Sequence, residues 1–316
     1  MHFNQNALRR FLILCLGFIA LPFCGFAFQE TLYTSELYKQ IISSNENKLF
    51  IDNVKLVDDV SSLMLAEEID FYEALGEKLD IDINYDSLGL ITNISSLYLY
   101  DITGAHIALD RINIDTISLM KGKLETMLLN EINTKALYID SLEINTQFRL
   151  EYSNVNTLIA YGGEITNFEI SNTTFSGFFE TLVLKVSANY WISNCVFEEG
   201  AYFSADVEGA FIDFLLEGNV FEPIDSNLTF PMDSINGGNQ EIIMKTQVRV
   251  NFFGDVDQAS IVENVFEKDD FEQYIYLEGD YDYMTISTNE VGITLYPVAT
   301  IIKQLTMDEN TFDASV

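Results

Sequence analysis

The sequence predicts an all-β fold, a single parallel β-helix (β-solenoid) built from coils of about 20–24 residues. Two repeating columns predict it. The first is aliphatic: Leu97, Ile117, Leu137, Leu158 and Leu182 open successive segments at steps of 20, 20, 21 and 24 residues. Within them Leu97 and Leu99, Leu137 and Ile139, Leu158 and Ala160, and Leu182 and Leu184 alternate with other residues, the period of a strand with one buried face. The second column is aromatic. Phe175, Phe197, Phe221, Phe266 and Phe312 close ISNTTF, ISNCVF, LEGNVF, VENVF and MDENTF. Their first two steps are 22 and 24 and the last two are 45 and 46, about two coils each, with Val291 inside the final double step. Like residues in a parallel stack lie above one another about 4.8 Å apart, so this column predicts an aromatic ladder in the core. Asn172, Asn194, Asn219, Asn264 and Asn310 precede these Phe residues by two or three positions. Asn accepts turn conformations and bonds to stacked neighbours, so these residues are expected at coil corners in a structural role.

The elements follow in order. MHFNQNALRR carries Arg9 and Arg10, an apolar run extends from Phe11 to Ala27, and Gly25 and Ala27 supply small residues at its end. This is a secretory signal over 1–27, expected to be cleaved after Ala27. The competing membrane anchor fits less well: the run is near the short end of the roughly 17–25 residues that span a bilayer, and it holds Pro22. A lipoprotein would need a small residue before Cys15 or Cys24, where Leu14 and Phe23 stand. The expected location is secreted, periplasmic or on the cell surface, with no stable membrane span after cleavage. Cleavage leaves Cys195 alone, so no internal disulfide is expected and the thiol is placed inward as a small hydrophobe.

Residues 28–95 form a cap and the first irregular coils. TLYTSELYKQIISSNENKLF predicts a short helix, capped at Thr34 or Ser35, with Leu37, Tyr38, Ile41 and Ile42 on one face. Such a helix covers the open end of a stack. AEEIDFYEALGEKLD allows another helical turn or two. The solenoid proper spans 96–316. Pro223, Pro231, Gly237 and Gly238 interrupt it, which predicts a loop over 222–240 projecting from the wall. NTFDASV follows the last ladder element with no evident cap, so either the solenoid continues or the end is covered, because a bare strand edge invites pairing.

Charge narrows the function classes. Asp and Glu number 49 against 16 Lys and Arg. A chain of this sign repels nucleic acid and anionic membrane and attracts cations. It is not a disordered acidic chain, because 48% of its residues are hydrophobic and 13% aromatic.

The I-x-N-x-x-F and N-V-F coils, from Ser96 to Phe312, resemble the right-handed parallel β-helix superfamily at the level of the fold. That group includes pectate lyases, polygalacturonases and many surface proteins of unknown role. The alternative fold is a leucine-rich repeat, imitated by Ile94-x-x-Leu97-x-Leu99 and Ile114-x-x-Ile117-x-Leu119, but the Asn it needs next is replaced by Ile102 or Gly122. The resemblance implies, for a polygalacturonase, several Asp motifs with Gly-His-Gly and Arg-Ile-Lys, which this sequence lacks. For a lyase it implies Arg or Lys against an acidic sugar. After the signal only Arg111, Arg149 and Arg249 remain, and the acidity repels polyuronate. His106 is the one His beyond the signal, with no second ligand or base near it in sequence. Nucleophile elbow, phosphate loop and zinc spacing are missing, and no catalytic residue is assigned.

Carboxylate pairs remain: Asp255 and Asp257 in DVD, Asp280 and Asp282 in DYD, and Asp269 and Asp270 in EKDD. The first four are candidate oxygen ligands for calcium, the only cofactor the sequence suggests. A suitably spaced pair also serves glycoside hydrolysis, while solvated acidic turns are the plainer reading. Exposed aromatics on a flat wall, Trp191 included, would stack on sugar rings, although alternating aromatics are expected in the core. The functional expectation is an exported, non-enzymatic solenoid that binds or scaffolds a protein or polysaccharide at the surface or in the periplasm. The alternative is a carbohydrate-active enzyme, a polysaccharide lyase or glycoside hydrolase, on the same fold.

Overall fold

The computed structural model describes residues 29–43, 47–57, 59, 94–198, 202–222, 247–266, 273–289, 293–297 and 301–310. The signal segment 1–27, the helical reading of 66–80, the loop at 223–240, Val291 and Phe312 lie outside them. The described chain is one parallel β-solenoid of about eight turns with a short helix near its N-terminus.

Each coil has three walls. Strand Ser96–Asp110 supplies the first wall at 96–100 and the second at 102–110; Asn113–Asn130 and Asn133–Glu151 each begin on the preceding coil's short third wall and then repeat these two. The first corner falls on Asp101, Lys121 and Ser141 and the second on Arg111, Glu131, Tyr152, Asn172 and Asn194, all with φ between 48° and 57°. L-residues resist this left-handed conformation by about 1–2 kcal/mol. The stack offsets that cost by giving each corner amide a partner: Arg111 N–H donates to Asn130 O at 2.9 Å, and Asn194 N–H to Glu217 O at 2.8 Å. At one first corner the packing is tight enough to require glycine. A Cβ on Gly163, where φ is 84°, would stand 2.3 Å from Leu142 O.

Inward residues form vertical columns because parallel register places each coil on the last. Leu97, Ile117, Leu137 and Leu158 are in register and fully buried. The next member is Phe179, followed by Phe203, and not Leu182. Leu182 pairs with Tyr161, an outward position. The corner at Val183 (φ 52°) separates Leu182 from Leu184, so their apparent alternation spans two walls and Leu184 belongs to the second. This corrects the last step of the aliphatic column from 24 to 21 residues, Leu158 to Phe179.

The Phe ladder is present on the third wall. Phe175, Phe197, Phe221 and Phe266 share one register, and the first three rings stack at 5.1 and 4.7 Å. Two more ladders accompany it. Phe179 and Phe203 stack at 4.8 Å, and Phe148, Phe168, Tyr190 and Phe214 stack at 5.0, 5.1 and 5.6 Å. These separations follow from the strand spacing, which places the aromatic side chains one coil apart.

The Asn residues divide into two sets. Asn172 and Asn194 are the corner residues, exposed and left-handed. Asn219, Asn264, Asn289 and Asn310 sit one position later and form a ladder inside the stack. Asn219 N–H donates to Asn264 Oδ1 at 3.0 Å, Asn264 N–H to Asn289 Oδ1 at 3.0 Å and Asn289 N–H to Asn310 Oδ1 at 3.2 Å. Ile132, Ser153, Thr173 and Cys195 hold the same place in earlier coils, bridged in part by Ile132 N–H to Ser153 Oγ at 3.0 Å and Cys195 N–H to Asn219 Oδ1 at 2.9 Å.

Cys195 is wholly buried, as expected, and burial pushes its thiol up to about 12 from 9.0. A raised thiol value means that the folded state holds its proton longer than the unfolded state. This contribution to stability is therefore complete below pH 9.0 and is lost as pH rises toward about 12. The native thiol should resist a disulfide reagent at pH 8 and react fully once urea unfolds the chain; rapid native labelling would contradict the burial.

The N-terminal helix, Thr34–Ser43, covers the start of the stack. Leu37, Tyr38, Ile41 and Ile42 are all buried on the face the sequence predicts. Its cap differs in detail, since Asp59 accepts from Ser35 N–H at 2.9 Å. Ala108 N–H, on the second wall of an early coil, donates to Tyr38 Oη at 2.7 Å. The helix thus gives that strand amide a partner as well as covering apolar surface.

Candidate functional site

The outward residues of the first wall are set by the same alternation that buries Leu97 and Leu99. One outward column runs Phe50, Tyr98, Ser118, Tyr138, Ile159 and Glu180, in register from coil to coil. The adjacent one runs Asp52, Tyr100, Met120, Asp140, Tyr161 and Leu182. Ser96, Thr116, Ala136 and Thr157 line its other side with small groups. This wall presents aromatic and aliphatic side chains to solvent over six coils.

Its parts support one another. Phe50 is 55% exposed and lies 6.3 Å from Tyr98, ring to ring. Tyr98 and Tyr138 flank Ser118 so closely that Ser118 keeps 6% of its exposure. Burial pushes the Tyr138 phenol up, and the nearby Tyr98 adds to the shift. Lys121, at the corner, places its ammonium 5.2 Å from the centre of the Tyr100 ring. The hydrogen bond to Tyr100 raises the Lys121 value, with Asp101 and Asp140 contributing.

The second wall is different in kind. Its outward groups bond mostly to one another: Lys123 to Glu143 at 3.0 Å, Asn145 to Glu125 at 2.9 Å, Gln147 to Glu169 at 2.7 Å and Asn189 to Asn167 at 2.8 Å. Trp191 lies on this wall at 37% exposure, between Glu169 and Leu215 in register. Arg111 pairs with Asp110 at 3.1 Å and Arg149 with Glu151 at 2.5 Å, while His106 stands beside Thr126.

The four candidate calcium ligands fall on adjacent coils of the second wall. Asp255 is beside Asp280 in register, and inward Val256 is beside inward Tyr281. Asp257 and Asp282 follow two positions later on the same coils. Lys303, from the coil beyond, pairs with Asp282. Among the described residues no group of three or more His, Cys, Asp or Glu is placed to hold a metal ion. Asp269 and Asp270 lie outside the described residues.

Sequence reasoning placed alternating aromatics in the core and so missed the tyrosine wall. The signal was available in SLYLYD and ALYID, where Leu and Ile take the buried phase and Tyr the other. No family model, no curated protein and no solved structure matches the chain.

Proposed function

We propose that this chain is an exported, non-enzymatic solenoid that binds or scaffolds a partner at the cell surface or in the periplasm, and that its fold is that of the right-handed parallel β-helix superfamily. The observation that carries the binding reading is the outer face of the first wall. It extends about 24 Å along the axis over six coils, from Phe50 to Glu180, and is aromatic and aliphatic through most of that length. A contiguous apolar patch on a soluble surface marks an interaction site. The wall that carries more polar chemistry has those groups engaged with each other, which suits a rigid support.

Two measurements test the reading. Fractionation of the producing cells should recover the protein lacking residues 1–27 from the medium, surface or periplasm; a cytoplasmic, uncleaved chain would contradict export. Incubation with plant and microbial polysaccharides should release no sugar fragments. Release of oligosaccharides would replace the scaffold with the carbohydrate-active enzyme.

A further inference from the structure

We propose that the outer face of the first wall binds an uncharged, β-linked hexose polysaccharide laid along the solenoid axis across Tyr98 and Tyr138. This rests on the binding reading above and names its ligand.

Three observations point to this occupant. The first is the repeat. Tyr98 and Tyr138 stand two coils apart, so their backbone positions recur at about 10 Å. An extended β-linked hexose chain shows the same ring face at every second sugar, a repeat close to that separation. Phe50 and Ile159 continue the column in register on either side.

The second is the chemistry of the face. A sugar ring is apolar across its C–H surface and polar around its rim. Tyrosine matches both, with an electron-rich ring and a hydroxyl at its tip. Thr116 and Thr157 lie on one side of the aromatic column, with Ala136 between them, and Tyr100, Met120, Asp140, Tyr161 and the Lys121 ammonium lie on the other. The track is thus apolar at its centre, with hydrogen-bonding groups at Thr116 and Thr157 on one margin and at Asp140 and Lys121 on the other.

The third is charge. The chain carries a formal charge of −33, which opposes polyuronates and sulfated glycans and leaves an uncharged chain as the favoured glycan. The same charge opposes a second copy of this chain, since face-to-face packing would bring Asp52 and Asp140 of both copies together.

The test is titration calorimetry of the full chain with cellohexaose, with polygalacturonate as the charged control. Cellohexaose should bind and polygalacturonate should not. The double variant Tyr98→Ala/Tyr138→Ala should lose at least about tenfold in affinity, and Tyr98→Phe/Tyr138→Phe should stay within about threefold. Unchanged far-ultraviolet dichroism and melting temperature establish that each variant is folded. No binding of cellohexaose, or binding that survives the alanine substitutions in a folded chain, overturns the proposal. A protein partner that cross-links at Tyr98 or Tyr138 in place of glycan also overturns it, while leaving the binding reading intact. Cellohexaose bound and then cleaved would support this site and end the non-enzymatic reading instead.

Discussion

Asn264→Ala is expected to destabilise the C-terminal half of the solenoid by on the order of 3–5 kcal/mol, as urea unfolding followed by dichroism would show. Asn264 is fully buried and its amide serves three coils. Its Oδ1 accepts from both Asn219 N–H and Asn219 Nδ2, at 3.0 and 2.9 Å. Its two Nδ2 hydrogens are shared among Leu216 O and Val262 O, each at 3.0 Å, and Asn289 Oδ1 at 3.1 Å. Truncation removes these bonds and leaves buried groups on two neighbouring coils without their partner. An unmet buried group costs more than a bond contributes, so the loss exceeds that of one ordinary hydrogen bond. Adding Asn219→Ala to the variant should cost less than Asn219→Ala alone, because the two share the bonds that the first change removes. Strict additivity of the two would show that the ladder is not one unit.

Phe197→Ala is expected to cost about 3–5 kcal/mol, the range for emptying an aromatic site in a packed core. Phe197 has no exposed surface and packs against four other rings. It stacks on Phe175 at 5.1 Å and on Phe221 at 4.7 Å, and meets Phe203 and Phe179 edge-on at 5.2 and 6.0 Å. The backbone register fixes the coils above and below, so the site cannot collapse to fill the void. Phe197→Leu should recover most of the loss. Hydrogen exchange should locate the effect, with protection falling in the coils around 174–221 and persisting near Leu97 and Ile117, since a repeat protein passes strain mainly to nearest neighbours. Uniform loss of protection over the whole chain would show that it unfolds as a single cooperative block.

Legibility in the sequence followed burial. The coil period, the Phe column and the apolar face of the N-terminal helix were all visible, because a position that must be apolar in every coil repeats in the sequence. Errors arose where apolar residues served different walls. Leu182 and Leu184 alternate as a strand would, yet the corner at Val183 puts Leu182 outside and gives its column place to Phe179. The Asn residues showed the complementary error. Asn172 and Asn194 lie three residues before Phe175 and Phe197, whereas Asn219 and Asn264 lie two before Phe221 and Phe266. That single-residue offset separates an exposed left-handed corner from a buried hydrogen-bonding rung.

The sequence by itself determined the parallel stack, its period and its inward aromatic ladder, because inward side chains must match their neighbours above and below. Only the tertiary structure decided which residues meet on the outside. Outward positions carry no burial requirement, so although Tyr98, Ser118, Tyr138 and Ile159 recur at the coil period, they and Phe50 share no residue type that would mark them as one column. Register alone brings them into one column, from residues 50 to 159, and so makes the tyrosine wall on which the proposed function rests.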